Sequence, residues 1–217
     1  MKRADRTAAL ASFFKCSEVE ADRLNGAMSL VTFGRRDTLI HQGDMGAKVW
    51  IVLDGWAQLQ IIGTDGQIQL LAAHGPGELF GALPEERVVI SDIVAQDRLS
   101  ALEISTSKLT ALMQEEARIG SGLSAILARQ YNEALDRMAS RITLTAKGRV
   151  YLELLNKAGE GGVVSPPPIV SALALTAQTT RETASRAISA LERRGIIARD
   201  AQRLTVISKV LLEDLIV

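Results

Sequence analysis

Residues 179–195 read TTRETASRAISALERRG, and this stretch has the pattern of a short amphipathic helix. Thr180 places a hydroxyl where a helix N-cap is expected. Four apolar residues recur at helical spacing and form one stripe: Ala184, Ala187, Ile188 and Leu191. Polar residues fall on the other faces: Arg181, Glu182, Ser185, Arg186 and Ser189. The pattern predicts a helix that packs along one face and presents charge on the other.

A second short helix is expected just upstream, over the apolar, alanine-rich residues 169–177. Two short helices joined by a tight turn, the second carrying Arg-Glu-x-x-x-Arg, are typical of a helix-turn-helix that reads DNA in the major groove. Ala174 is small where the two helices must approach each other. Gln178 lies at the turn, where a left-handed backbone would strain any residue other than glycine.

The charge distribution fits this interpretation to a modest degree. Residues 1–139 contain 14 Lys and Arg against 18 Asp and Glu, a balance of 14 − 18 = −4. Residues 140–217 contain 11 basic and 7 acidic residues, a balance of 11 − 7 = +4. A local basic excess is what a phosphate backbone requires. Chance asymmetry of solvated surface charge explains the same numbers equally well.

Composition indicates a cytoplasmic protein with no membrane partner. The chain has 217 residues and one cysteine, Cys16, which excludes an intramolecular disulfide and fits a reducing compartment. No apolar run approaches the roughly 20 residues that span a bilayer. The first ten residues, MKRADRTAAL, lack a long apolar segment, so we expect no secretory signal.

A β-rich region is expected over residues 31–104, after one or two short helices within residues 10–30. Ser17 and Glu20 resemble a capping box for such a helix. Short β-prone runs then alternate with glycine, and turn signals occur at residues 43–44, 54–55 and 65–66. Strands at this spacing favour a barrel or sandwich.

The pattern turns helical over residues 106–143. Five apolar residues could line one long face: Leu123, Ile126, Leu127, Ala134 and Met138. A helix that extends beyond its β domain favours a dimer interface, although it could also simply cover its own barrel. A helix over residues 146–158 follows, then a break at residues 159–162. Residues 196–207 predict a two-stranded wing with its turn at residues 200–202.

Together these features resemble the cyclic-AMP receptor protein/FNR family of bacterial regulators. The resemblance rests on TLIHQGD (38–44), IVLDGWAQL (51–59), GPGELFGAL (75–83) and TTRETASRAISALERRGII (179–197). It implies an α+β fold: a jelly-roll sensor domain with N-terminal helices (1–105), a long dimerisation helix region (106–143) and a winged helix-turn-helix (144–217). It also implies a homodimer that binds a palindromic operator in double-stranded DNA, with RNA polymerase as a protein partner.

Arg181, Glu182 and Arg186 match the three base-reading positions of the family's pattern. A guanidinium fits the O6 and N7 acceptors of guanine, and a carboxylate can accept from the N4 amino group of cytosine. Thr180 and Ser185 complete the expected DNA contacts on this helix, and Arg199 and Arg203 are the candidate phosphate contacts of the wing. Taken alone, Glu182 and Arg186 could equally form an ordinary surface ion pair.

The effector site is expected near the glycine-rich turn, with these candidate residues: Gly77, Glu78, Leu79, Phe80, Gly81, Ala82 and Arg87. Family members that bind cyclic AMP use a Glu for the ribose and an Arg-Ser pair for the phosphate. Ala82 stands where the Glu would be, and Val89 and Ile90 fill the places of the pair. A buried phosphate without a cation is costly, so we expect no conventional cyclic-AMP binding and no bound cofactor.

Alternatives remain open at this point. His41 and His74 could ligate a haem, and Cys16 could act as a ligand or an oxidation sensor. Trp50 and Trp56 could be core residues or a ligand-stacking face. The winged helix could bind protein instead of DNA, and salt dependence would separate the two. An enzyme is disfavoured, because the sequence has no G-x-S-x-G, H-E-x-x-H or Walker A pattern and only two histidines for a cupin-type metal site.

Overall fold

The computed structural model describes residues 2–63 and 68–216, which fall into two compact units, Met1–Asn132 and Glu133–Val217. The turn signal at residues 65–66 lies outside the described residues. The helices are α1 Arg3–Phe14, α2 Glu18–Ala27, α3 Thr106–Glu115, α4 Ala117–Thr143, α5 Ala146–Ala158, α6 Val170–Thr176, α7 Arg181–Arg193 and α8 Lys209–Glu213. The strands of the first unit are β1 Ser29–Phe33, β2 Thr38–Ile40, β3 Met45–Gly46, β4 Lys48–Asp54, β5 Ala57–Ile62, β6 Ile68–His74, β7 Leu79–Gly81, β8 Arg87–Val88, β9 Asp92–Ala95 and β10 Leu99–Ser105. Those of the second unit are β11 Val163–Val164, β12 Ile197–Arg199 and β13 Leu204–Val206.

The first unit is a β roll of two four-stranded antiparallel sheets. One sheet has the order β1-β10-β4-β7 and the other β2-β9-β5-β6, and β3 pairs separately with β8. None of these sheet neighbours except β5 and β6 is consecutive in the chain, as expected when strands cross between two packed sheets. The predicted jelly-roll domain is confirmed.

Strand β4 shows why this region folds as a two-faced sheet. Val49 and Ile51 pack into a cluster with the helices, whereas Trp50 and Val52 pack into the cluster between the sheets. All four side chains are buried. The strand therefore reads as a continuous apolar run, because apolar layers cover both of its faces.

The helical region after the roll is divided at Glu116. The long helix predicted within residues 106–143 is confirmed as α4, and a shorter helix precedes it: α3 ends at Glu115 and α4 begins at Ala117. The backbone of Glu116 is extended (φ −122°, ψ 93°), which ends the helical hydrogen-bond pattern. In α4, Leu123 and Ile126 are buried in the core of the first unit, whereas Leu127 and Met138 are exposed.

The second unit is a winged helix. Its core combines α5, α6, α7, α8 and the wing. The wing has three strands in the order β11-β13-β12, so the expected two-stranded wing is corrected. Val163 pairs with Thr205 across a sequence gap that local patterns cannot reveal. The predicted helix over residues 146–158 and the turn at 200–202 are confirmed.

Candidate nucleic-acid interface and effector pocket

The recognition helix α7 is fixed by its apolar face and its N-cap. The four residues of the predicted stripe are each at most 1% exposed: Ala184, Ala187, Ile188 and Leu191. The Thr180 hydroxyl accepts a hydrogen bond from the backbone N–H of Thr183 at 3.1 Å, as its position in the sequence predicts. The buried stripe fixes the rotation of α7 about its axis, so its remaining faces point away from the core.

The predicted DNA-contacting residues lie on those outer faces. Arg181, Glu182, Ser185 and Arg186 are all exposed. Arg186 lies 3.3 Å from Glu182, and their side chains are 67% and 75% exposed. Both therefore remain well solvated, and such an exposed pair contributes at most about 1 kcal/mol, so base edges could replace it at little cost.

An open polar groove of about 680 Å³ runs beside α7. Three cations line it, Lys147 from α5 with Arg186 and Arg193 from α7. Hydroxyl groups complete the lining at Thr183, Ser185 and Ser189. Cations and hydroxyls together suit phosphate oxygens, which accept from both. Lys147 and Arg193 were not predicted from the sequence, because only the fold brings α5 beside this face of α7.

The turn between α6 and α7 is held by Arg149, a residue that the sequence analysis missed. Gln178 has φ +46°, which confirms the predicted left-handed turn. The Arg149 guanidinium donates to the carbonyl oxygens of Ala177 at 2.9 Å, Gln178 at 3.2 Å and Leu144 at 3.1 Å. Partial burial, with a smaller contribution from Arg141, lowers the pKa of Arg149, and the three carbonyls compensate the partly buried cation. Arg149 thus ties the end of α4 to the turn that precedes the recognition helix.

Both candidate arginines of the wing have acidic neighbours. Arg199 lies 3.1 Å from Glu192, and Arg203 lies 3.8 Å from Asp200. Asp200 also accepts from the backbone N–H groups of Gln202 and Arg203, at 2.7 and 2.8 Å. These backbone bonds are the main reason why the pKa of Asp200 is lowered. The carboxylate thereby shapes the wing turn and leaves the Arg203 side chain at the surface.

The β roll contains a pocket of about 180 Å³. Of the predicted effector residues, Gly81, Ala82 and Arg87 line it, together with Val89 and Ile90. The other predicted residues are not part of the lining. Leu79 and Phe80 are buried in the core, Gly77 has a positive φ of 82°, and Glu78 accepts from the N–H of Gly75 at 2.6 Å. These four residues shape the turn that presents Gly81.

Gly81 is a position in this pocket where the backbone requires glycine. Its φ is +129°, and a Cβ there would lie 2.3 Å from the carbonyl oxygen of Lys48. Any larger residue would push β7 away from β4. This glycine of the sequence pattern is therefore required by close strand packing, independently of what the pocket binds.

Comparison with known proteins covers both units. A cyclic nucleotide-binding domain model matches residues 30–116, and a Crp-like helix-turn-helix domain model matches residues 136–215. The cyclic AMP receptor protein of Thermus thermophilus is 31% identical over 184 residues, covering 82% of this chain and 83% of that protein. The chain belongs to the cyclic-AMP receptor protein/FNR family.

Two further members extend this result. A CRP-like cAMP-activated global transcriptional regulator of Mycobacterium tuberculosis is 26% identical over 205 residues, covering 89% of this chain and 91% of that protein. FixK2 from Bradyrhizobium japonicum shares the fold with a TM-score of 0.69 at 22% identity, covering 87% and 96% of the two chains. This cyclic-AMP receptor protein/FNR family member is therefore a transcription regulator with a helix-turn-helix DNA-binding domain.

The cysteine and histidines of this cyclic-AMP receptor protein/FNR family member lie apart from the pocket lining. Burial raises the pKa of Cys16, which disfavours the thiolate that ligation or oxidation needs. His41 is exposed beside Asp92 at 3.6 Å. His74 ends β6, is mostly buried and stacks on Phe80 with ring centroids 5.4 Å apart.

Trp50 and Trp56 also differ in their surroundings. Trp50 is 3% exposed, stacks on Phe80 and donates from Nε1 to Glu103 at 2.9 Å, and it also lines the pocket. Trp56 packs on Gly75. In the described part of the chain, no group of three His, Cys, Asp or Glu side chains could hold a metal ion. No helix there is long and apolar enough to cross a membrane.

Proposed function

We propose that this regulator binds a two-fold symmetric operator as a homodimer, and that Arg181, Glu182 and Arg186 read its bases. The observation that carries this proposal is the orientation of α7. Its apolar face is buried, and these three side chains extend from its first two turns into solvent. N-terminal residues of a recognition helix are those that reach base edges in the major groove.

The chemistry of the three side chains specifies the base pairs. Two guanidinium groups favour guanine, and the carboxylate between them favours cytosine. Thr180 and Ser185 add hydroxyl contacts, while Lys147 and Arg193 in the adjacent groove suit phosphates. Arg199 and Arg203 extend the same electrostatic contact to the wing. The proposed half-site therefore contains G·C pairs flanked by sequence-independent phosphate contacts.

The homodimer is supported by exposed apolar side chains that recur along α4 at intervals of three and four residues. They are Leu127, Tyr131, Leu135, Met138 and Ile142, with exposures from 40% to 82%. This spacing is that of a two-stranded coiled-coil seam. Of the five residues of the predicted face, Leu127 and Met138 belong to this series, whereas Leu123 and Ile126 are buried in the first unit. Tyr131, Leu135 and Ile142 extend the series.

We also propose that conventional cyclic-AMP binding does not control this regulator, although the curated relatives are a cyclic AMP receptor protein and a cAMP-activated regulator. Ala82 provides no carboxylate for a ribose, and Val89 and Ile90 provide no donor side chain for a phosphate. Lys48 and Arg87 also line the pocket, but Glu103 neutralises Lys48 at 2.8 Å and Arg87 is exposed at the rim, so neither offers a buried cation to a phosphate. Because a transcription regulator acts at promoters, we also propose RNA polymerase as a protein partner and the cytoplasm as the location of this protein.

The test begins with selection of bound fragments from random duplex DNA. We expect a palindromic site, and we expect Arg181→Ala and Arg186→Ala each to weaken binding to it about 5- to 150-fold, the equivalent of about 1–3 kcal/mol. Arg194→Ala removes the same charge from the other end of α7 and serves as the matched control, with a small, sequence-independent loss. Equal losses in all three variants would overturn base reading by the two arginines.

The oligomeric state is tested separately. Leu135→Glu combined with Met138→Glu should convert the dimer to a monomer in sedimentation and reduce operator affinity, because two half-sites must be engaged together. Ala125→Glu and Asn132→Glu, at exposed positions on a different face of α4 from the apolar series, are the matched control. A monomeric wild-type protein that binds the full operator would contradict the dimer.

A further inference from the structure

The pocket of the β roll is small and has apolar walls. Its volume is about 180 Å³, below the roughly 300–1,000 Å³ of sites for drug-sized ligands. A cavity of about 150 Å³ lined by apolar side chains holds benzene. The walls of this pocket are mainly apolar: Ile40, Trp50, Leu59, Ala82, Val89, Ile90 and Ile93. The pocket therefore fits a body the size of one small ring or a short branched chain.

The polar groups of the lining point to one negative charge on the ligand. Lys48 and Arg87 are its two cations, but Lys48 is paired with Glu103 at 2.8 Å. Arg87 is exposed at the rim and forms no ion pair with any residue in 2–63 or 68–216. Ser91, which is 1% exposed, adds a hydroxyl to the wall. No carboxylate lines the pocket itself, and the neighbouring Glu103 is already paired with Lys48.

We propose that this pocket binds a small organic monocarboxylate with an aromatic or branched aliphatic body. The body lies against Trp50 and the aliphatic wall, and the carboxylate meets the Arg87 guanidinium at the rim. Planar, bidentate recognition of a carboxylate is what a guanidinium does well, and an opening at the rim lets the charged end keep part of its hydration. Only the regulatory consequence of binding rests on the proposed function; binding itself does not.

The protein has a built-in reporter for this site. Trp50 lines the pocket, and the second tryptophan, Trp56, does not. In a Trp56→Phe background, the fluorescence of Trp50 should change saturably with benzoate, phenylacetate or 3-methylbutanoate. We expect Kd values on the order of 10 μM to 1 mM, since small ligands gain little free energy in total. Calorimetry on the wild-type protein without DNA gives an independent measurement.

Two comparisons distinguish the proposed contact from unspecific binding. Arg87→Gln should weaken benzoate binding about 10- to 100-fold and leave benzamide binding unchanged, because only the carboxylate pairs with Arg87. Arg98→Gln, an exposed arginine of the same unit outside the pocket, is the matched control with no effect. Val89→Phe fills the pocket and should abolish binding of every probe. If that variant does not fold, the Arg87→Gln comparison still decides, because Arg87 is an exposed side chain.

Several results would overturn the proposal. They are the absence of saturable binding by any of the three carboxylates, equal affinity for benzoate and benzamide, or undiminished benzoate binding by Arg87→Gln. Tight binding of cyclic AMP at this pocket would overturn both this inference and the proposed independence from cyclic AMP. None of these results would touch DNA reading, which is tested by Arg181→Ala and Arg186→Ala on the selected operator.

Discussion

The recognition helix and the pocket of the β roll differ in how far their side chains match the family pattern. In α7 both the scaffold and the side chains match the family pattern. The apolar face of the helix is fully buried, and Arg181, Glu182 and Arg186 lie on its exposed faces. In the pocket the scaffold matches, with Gly81 at its tight strand crossing, but Ala82 and Val89 in its wall are apolar. The same fold therefore supports DNA binding directly and leaves the identity of any effector to a few side chains.

This difference has a simple physical origin. Gly81 is required by strand packing, since a Cβ there would meet the backbone of Lys48 at 2.3 Å. Ala82 and Val89 line the pocket, so an apolar side chain of similar size at either position would change what the pocket holds more than it changes strand packing. Four substitutions, each compared with a control variant, test the two regions from the largest expected effect to the smallest.

Ile188→Ala tests the buried face of the recognition helix. Ile188 is 1% exposed in the core of the second unit, so removing its methyl and methylene groups should lower the free energy of unfolding of that unit by about 2–5 kcal/mol. Chemical denaturation followed by circular dichroism measures this. Ser185→Ala, on the outer face of α7, should change stability by less than about 0.5 kcal/mol. Similar losses from both would show that the helix is not packed as described.

Ala82→Glu places a carboxylate in the apolar pocket and should destabilise the first unit by about 2–4 kcal/mol at pH 7. Burial would raise the pKa of this new carboxyl above its unfolded value. The destabilisation is therefore smaller at pH 4, where the group is mostly protonated in both states, and grows as the pH rises through the unfolded pKa toward the folded one. The new carboxylate would stand where family members that bind cyclic AMP hold the ribose, but this one contact should not create cyclic-AMP binding.

Glu182→Ala provides the contrast with the pocket, since it removes a carboxylate that is 75% exposed on the recognition helix. Stability should stay within about 0.5 kcal/mol of wild type. Unfolding curves at pH 4 and pH 7 measure both variants. An Ala82→Glu protein as stable at pH 7 as at pH 4 would refute the apolar character of the pocket.

Arg149→Met tests the clamp on the turn between α6 and α7. It leaves three carbonyl oxygens without their donor and should cost about 2–3 kcal/mol of stability in the second unit. Operator affinity should fall further than stability alone explains, because the turn sets the position of the recognition helix. Arg149→Lys, which keeps the charge but loses the planar fork, should recover only part of both. Full recovery by lysine would mean that charge, not geometry, matters.

Gln178→Gly should have the smallest effect and the opposite sign. The backbone at residue 178 has φ +46°, so glycine removes strain and should stabilise the second unit by up to about 1 kcal/mol while operator affinity is unchanged. Thermal unfolding measures this. Ala177→Gly, at the neighbouring position with φ −75°, should instead destabilise by about 0.5–1 kcal/mol. Stabilisation by both variants would point to loss of a side-chain clash instead of relief of backbone strain.

Much of the recognition helix could be predicted from the sequence, because its information is local. The cap at Thr180, the apolar stripe from Ala184 to Leu191 and the left-handed Gln178 lie within fourteen residues, and the spacing of a helix fixes which of them share a face. The wing was only partly predictable. Its turn at Asp200 is local, but its third strand, Val163–Val164, comes from a distant part of the chain.

The sequence by itself determined the family, the order of the elements and the outward face of α7, since these depend on periodicities of a few residues. The tertiary structure alone decided that α4 begins at Ala117, that Arg149 holds the turn, that Lys147 borders the recognition helix, and that Ile40, Leu59 and Ile93 close an apolar pocket around Ala82. The physical reason is distance along the chain. Contacts between residues tens of positions apart are selected by packing, and no local pattern records them.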